Sequence, residues 1–531
     1  MHTEHRITRD RHSLLKTLAS SAAGFAFICL VDSLPERASA QNTENDPSAE
    51  TREWAPAAID HAQKMLKHKD PDDGSQPTPG VIPVLGIDDD PSGRMATYQP
   101  GGPAITADNA FFQNIGTNGR TCFTCHQPQN GWTISAAGVQ ARFAASSGSD
   151  PLFRLVDGAT CPTDNVKTLG AKRQAYKLLI DKGLIRIGIP LPPASKLQFE
   201  VAKVDDPYNC TTNPATGLTS PMTGIASMYR RPLPSTNLGF LTTIMWDGRE
   251  PSLASQSVDA TLIHAQASAP PTAGEQDKIV AFETGIFAAQ IFDKKARDLR
   301  ADGANGGPVA LSLELAKFFI GVNDPVGLNP TGAPFDPNIF DLYTSPMWQG
   351  LQDREGDDES SGHAERRRSI ARGERVFNAT EINITGVTGL NDALNLPTIA
   401  GFCGTCHDTP DVGNHSVKAP LNIGIANAGA NRPPALDISG LPVFTLRCTK
   451  GPLAGQMFVV TDPGRALITG NCADIGKVKG PILRGLAARA PYFHNGSAAT
   501  LLDVVNFYDQ RFGIGFNDEQ RNDLINFLNA L

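Results

Sequence analysis

The chain is short of positive charge. Its 531 residues carry 47 Lys and Arg against 55 Asp and Glu, a formal net charge of -8. That balance argues against nucleic acid or an anionic membrane as a partner. Long apolar runs are missing too. Residues 17–31 are apolar, but they fall short of the roughly 20 residues that span a bilayer. Histidine is scarce, at 11, and forms no cluster of the kind a zinc site needs. Methionine is scarcer, at 8, and only Met457 follows residue 407.

What is present begins with a targeting segment. Arg6, Arg9, Arg11 and Lys16 precede the short apolar run, and Ala38-Ser39-Ala40 follows it. This predicts a signal peptide over 1–40, cleaved after Ala40, and a mature periplasmic protein with no membrane span after cleavage. Cys29 leaves with it. Of the other cysteines, Cys122, Cys125, Cys403 and Cys406 stand in two short motifs. Cys161, Cys210, Cys448 and Cys472 remain. In an oxidising compartment an even remainder predicts disulfides, with Cys161–Cys210 and Cys448–Cys472 as the local pairings.

The motifs are TCFTCHQPQ, residues 121–129, and GFCGTCHDTP, residues 401–410. C-x-x-C-H attaches haem c: the thiols add to the vinyl groups and the next histidine binds iron. Zinc would need two further ligands per motif. A thioredoxin-type redox site would need a strand before it and a helix after, and loop-like NIGTNGR and QPQNG flank the first copy. The pattern predicts two covalently bound haem c groups, on His126 and on His407.

Abundant Gly (50) and Pro (40) predict long loops. Residues 351–369 are charge-dense and read as an exposed linker. SIARGERVFNATEI then opens a second domain. NDEQRNDLINFLNAL closes it, with Asn517 and Gln520 as a capping pair and Leu524, Phe527, Leu528 and Leu531 on one face. LIRIGI and LQFEVAKV alternate around a Pro-rich turn, which predicts a hairpin. The predicted fold is mainly α: two cytochrome c-like haem domains with long loops, 41–350 and 370–531, and a small β-hairpin insertion within about 135–240.

Two further stretches, MWDGREPSLASQ (245–256) and ILRGLAARAPYFHNGSAATLLDVVNFYD (482–509), complete a resemblance to the bacterial di-haem cytochrome c peroxidases and their MauG-type relatives. The resemblance covers both haem surroundings and most of the C-terminal half, and fades from about 135 to 240. It implies peroxide chemistry at the first haem and electron relay through the second, with Trp246 between them. Gln256 falls in the register of a distal glutamine. Gln266 stands where the family has a glutamate; an amide cannot shuttle a proton, so His264, two residues away, is the expected acid/base group. The second haem's other axial ligand falls on Tyr508, with Met457 as the alternative. Thr500 and Asp503 form a capping box there, and Leu501, Val504, Val505 and Tyr508 share a face. A phenolate ligand favours ferric iron, whereas a thioether raises the potential. No histidine stands between residue 126 and Trp246 to cap the first haem at rest. Arg231 replaces the family's calcium-binding Asn and disfavours that ion. The runner-up reading resembles the rubber oxygenases, with dioxygen and an apolar organic substrate; a third is a pure electron carrier. The donor, protein or organic, is not specified by the sequence.

Overall fold

In the computed structural model, residues 80–208, 224–351 and 362–531 are described. All belong to one unit, Thr51–Leu531. The signal segment, the tip of the insertion with Cys210, and the middle of the charged stretch lie outside them.

Two helices anchor the C-terminal half. His363–Ala379 and Asp518–Asn529 cross at Gly373, where an added Cβ would lie 2.0 Å from the Asp523 carbonyl oxygen. Polar bonds lock the crossing: Ser369 Oγ donates to Asp523 Oδ1 (2.6 Å) and Arg372 Nε to Oδ2 (2.7 Å). Phe527, Leu524, Leu528 and Leu531 bury against Ile370 and Phe377. The capping box Asn517/Gln520 starts the second helix. The first helix begins at His363, inside the stretch predicted as linker. Two of its arginines are not solvated: Arg366 pairs with Asp293 (2.8 Å), and buried Arg367 pairs with Asp302 (3.0 Å).

Strand is more plentiful than the sequence predicts. Leu85–Asp89, Gly93–Tyr98, Phe287–Asp293 and Arg297–Asp298 form a four-stranded antiparallel sheet. Phe287–Asp293 is buried on both faces, so it shows no alternation to read. The predicted hairpin also needs correction. Both strands exist, as Ile185–Pro190 and Phe199–Asp205, but they do not pair with each other. Ile185–Pro190 pairs with Ile225–Arg230. Phe199–Asp205 pairs with Val443–Cys448, which continues to Met457–Val460. Alternation marks a strand but not its partner, and here the partner lies far along the chain. Residues from both halves thus share one sheet. Cys448 and Cys472 are disulfide-bonded beside it, with Cα atoms 6.1 Å apart. Cys161 is also disulfide-bonded.

Candidate functional site

The two C-x-x-C-H motifs fold alike. Each is a single 3-10 turn, Cys122–Thr124 and Cys403–Thr405. Threonine closes each: Thr124 Oγ1 accepts from Thr121 N, and Thr405 Oγ1 from Phe402 N, both at 2.9 Å. The histidine that follows then gives its Nδ1 proton to a carbonyl six residues on. His126 Nδ1 lies 2.9 Å from Trp132 O, and His407 Nδ1 lies 2.7 Å from Gly413 O. Burial keeps both rings neutral, His126 pushed down to about 4 and His407 lowered. A neutral imidazole with Nδ1–H engaged leaves Nε2 as the metal-binding atom. Burial raises all four thiols, Cys403 and Cys406 to about 12. They are not the activated thiolates of a disulfide exchanger.

Each motif opens onto its own cavity. A repeat in the fold builds the far lining of both. Met245 and Phe493 take positive φ (64° and 65°), Gly248 and Gly496 follow suit (70° and 63°), and the bridges Ile244–Glu250 and Tyr492–Ala498 close the turns. A helix follows each, capped by Ser252 or Thr500: Leu253–Ile263 and Leu501–Phe512. The helices present the same face. Leu253, Gln256, Ser257, Ala260 and His264 line the first cavity. Leu501, Val504, Val505, Tyr508 and Phe512, at the matching steps, line the second. Ala260 therefore occupies the step that Tyr508 occupies in the other copy. Only Gly248/Gly496 and Leu253/Leu501 are identical across these turns and helix starts, so the repeat hardly shows in the sequence.

Tyr508 is raised by burial and then by the nearby Cys406 and Cys403 thiols. That places its hydroxyl near the second motif. Met457 is 52% exposed on a sheet edge and does not line the cavity. In the first cavity His264 Nδ1 meets Asp157 Oδ2 at 2.6 Å, and Asp157 takes Arg120 NH1 at 2.6 Å. Burial opposes the Asp157 charge, but Arg120 and His264 hold its carboxyl below the usual range. Gln266 departs from expectation. The helix ends at Ile263, the chain turns with φ 53° at Gln266, and its exposed side chain accepts from Asn118 Nδ2 (3.2 Å) away from the cavity.

Trp246 lines both cavities, together with Arg231, Pro232, Lys479, Pro481 and Arg489. Its Nε1 donates to Arg231 O at 2.8 Å, and its ring sits edge-on to His494, centroids 6.1 Å apart. A buried ionic cluster fixes the turn. Arg230 binds Asp247 (2.5 Å) and Asp462 (2.7 Å), and Arg249 also reaches Asp247. Beside Arg231, sequence reading passed over the cations Lys479, Arg484 and Arg489. Burial lowers Lys479 to about 7, Arg231 to about 9 and Arg489 to about 10. Arg484, lining the first cavity, has Nε and NH2 unpartnered. Among the described residues none of the four has a carboxylate within ion-pairing distance. Buried cations without counter-ions are costly. A haem c fits here: its ring suits the apolar walls, its vinyl groups the free thiols, and its propionates these cations. Arg231, at the register where the resemblance implies a calcium-binding Asn, donates to the carbonyls of Ile134 (2.6 Å) and Arg489 (2.8 Å).

The chain is similar to bacterial cytochrome c peroxidases. It is 33% identical over 152 residues to cytochrome-c peroxidase IdrP2 of Denitromonas iodatirespirans, covering 26% of this chain and 38% of that protein. It is 30% identical over 151 residues to cytochrome c551 peroxidase of Nitrosomonas europaea, covering 27% and 36%. The chain thus spans well under half of these relatives. A crystal structure of a MauG-like protein associated with microbial copper homeostasis matches 58% of this chain and 77% of its own, at 17% identity and TM-score 0.27. No protein-family model matches. Among the described residues no helix is long and apolar enough to cross a membrane.

Proposed function

We propose that this chain is a periplasmic di-haem c oxidoreductase of the peroxidase/MauG type. Cys122, Cys125 and His126 hold the first haem. Cys403, Cys406, His407 and Tyr508 would hold the second. When bound, the haems would supply peroxide reduction at the first site and electron relay at the second. The observation that carries this reading is the meeting of the two cavities at Trp246, with a C-x-x-C-H motif opening onto each.

The chain's own residues divide the work. Ala260, at the step of Tyr508, offers no ligand atom and leaves the first site open to a small oxidant. Gln256 orients that oxidant by hydrogen bonding. His264 moves the proton, with Asp157 fixing its ring through Nδ1 and leaving Nε2 for transfer. Trp246 carries charge across the shared wall, and its bond to Arg231 O holds the indole in place. Tyr508 closes the second site, and its phenol is the side chain there that would hold the iron of the bound haem.

Mass spectrometry of the denatured protein, followed by peroxide-driven oxidation of a reduced dye, tests the reading. Two retained haems and peroxide-dependent turnover are expected, with one haem left in Cys403→Ala. Turnover with dioxygen and an apolar substrate, but none with peroxide, would favour the oxygenase instead.

A further inference from the structure

A cavity apart from both motif cavities lies against the insertion. Arg154, Lys172, Arg186 and Gln266 line it, with Phe153, Leu155, Val156 and Val166 as its apolar wall. Its polar side chains are rich in unspent donors. Arg186 NH2 donates to Val156 O at 2.7 Å, and its Nε is buried without a partner. Arg154 donates Nε to Asn118 O (2.9 Å) and NH1 to Phe153 O (3.3 Å). Lys172 Nζ gives one bond, to Ser147 O at 3.2 Å. Arg186 NH1, Arg154 NH2 and the Gln266 amide nitrogen have no hydrogen-bond partner among the described residues. Tyr176 and Ser149, also in the lining, spend their hydroxyl protons on Phe153 O and Ser146 O.

No carboxylate answers these cations. Among the described residues none lines the cavity, and none forms an ion pair with Arg154, Lys172 or Arg186. The acids nearby are engaged elsewhere. Asp150 takes Arg142 through both oxygens (2.6 and 3.0 Å), and Asp157 holds Arg120 and His264 (2.6 Å each). Asp164 Oδ2 accepts from Thr160 Oγ1 (2.8 Å) and Cys161 N (2.9 Å). Burial opposes the Arg186 charge. A guanidinium with open N–H groups suits a carboxylate. The apolar wall, where the Phe153 and Tyr176 rings stand 5.3 Å apart, favours an occupant that carries more than charge.

We propose that this cavity binds a small organic acid, its carboxylate held by Arg186, Arg154 and Lys172 and its apolar body lying on Phe153, Leu155 and Val166. The cavity adjoins the first site. Val156 precedes Asp157, and Arg186 N donates to Asp157 O at 2.7 Å. Asn118, whose carbonyl accepts from Arg154, donates its Nδ2 to His264 O at 2.8 Å. An occupant is thus one residue away from the pair assigned to proton transfer. The binding itself rests neither on that assignment nor on the haems.

Calorimetric titration of the intact protein with benzoate, inorganic phosphate and benzyl alcohol tests it, with cyanide present so that no acid binds iron. Saturable benzoate binding is expected. It should be tighter than that of phosphate, which offers charge alone, or of benzyl alcohol, which offers the ring alone. Arg186→Gln should weaken benzoate about tenfold, the worth of a hydrogen bond to a charged group. Lys172→Met should weaken it about threefold, as suits a more exposed charge. If Arg186→Gln does not fold, Lys172→Met decides. Phosphate or benzyl alcohol binding as tightly as benzoate would overturn the proposal, because the site would then read charge or ring alone. Benzoate binding that the variants leave unchanged, or no saturable binding, would overturn it too.

Discussion

His264 and Asp157 carry the proton chemistry assigned to the first site, and their contact is testable on its own. The imidazole is 2.6 Å from a carboxylate that Arg120 keeps charged. Replacing His264 by Ala should lower peroxide turnover by roughly 10²-fold, the usual share of a general acid/base, while haem content stays at the parental level. Equal turnover would leave His264 as a structural partner of Asp157. At this scale, legibility followed covalent chemistry. Five contiguous residues spell each haem attachment, so both motifs could be read directly. The inward aim of Tyr508 could be read from a capping box and a helical face, while its place as a ligand came from the family register. Gln266, which the family register offered, lies outside the first cavity because the helix stops at Ile263. Lys479 and Arg489 left no sequence signal. Their roles depend on what folding brings beside them.

Among the elements, the crossing of His363–Ala379 over Asp518–Asn529 is the most sharply constrained. Gly373→Ala would favour the isolated helix, yet its Cβ would meet Asp523 O at 2.0 Å and Phe527 Cβ at 2.7 Å. We expect a net loss of about 1–3 kcal/mol, the range for overpacking, in urea unfolding of the holoprotein. On the same helix, Glu374 is 1% exposed, accepts from Tyr343 N at 2.9 Å, and is raised by burial from 4.5 to about 8. Its folded pKa lies above the unfolded one. Its stabilising contribution is therefore complete below about 4.5 and is lost as pH rises through about 8. Between those limits the slope is on the order of 1 kcal/mol per pH unit. Glu374→Gln should flatten that dependence, and unfolding midpoints at pH 5 and pH 8 check it. Identical slopes in parent and variant would contradict this assignment. Helix ends were legible because capping boxes are local: Thr500/Asp503 and Asn517/Gln520 form as the residues predict. Strand pairing was not, because Phe199–Asp205 finds Val443–Cys448 across a long stretch of chain.

For the whole molecule, the wall around Trp246 joins the two sites and the two halves. Arg230, at the end of a strand in the insertion, ties Asp247 of the tryptophan turn to Asp462 of the C-terminal half. Arg231 holds carbonyls from both halves. The turn-and-helix repeat gives each motif a matching helix, and at one of the steps where the two helices differ Ala260 stands where the other has Tyr508. On the proposed reading that difference leaves the first haem open and closes the second. Electron paramagnetic resonance of the ferric holoprotein, before and after cyanide, tests this most directly. The account predicts one high-spin signal that cyanide converts to low spin, and one low-spin signal that cyanide leaves alone and that disappears in Tyr508→Ala. Two low-spin signals, both indifferent to cyanide, would contradict it and leave a di-haem electron carrier.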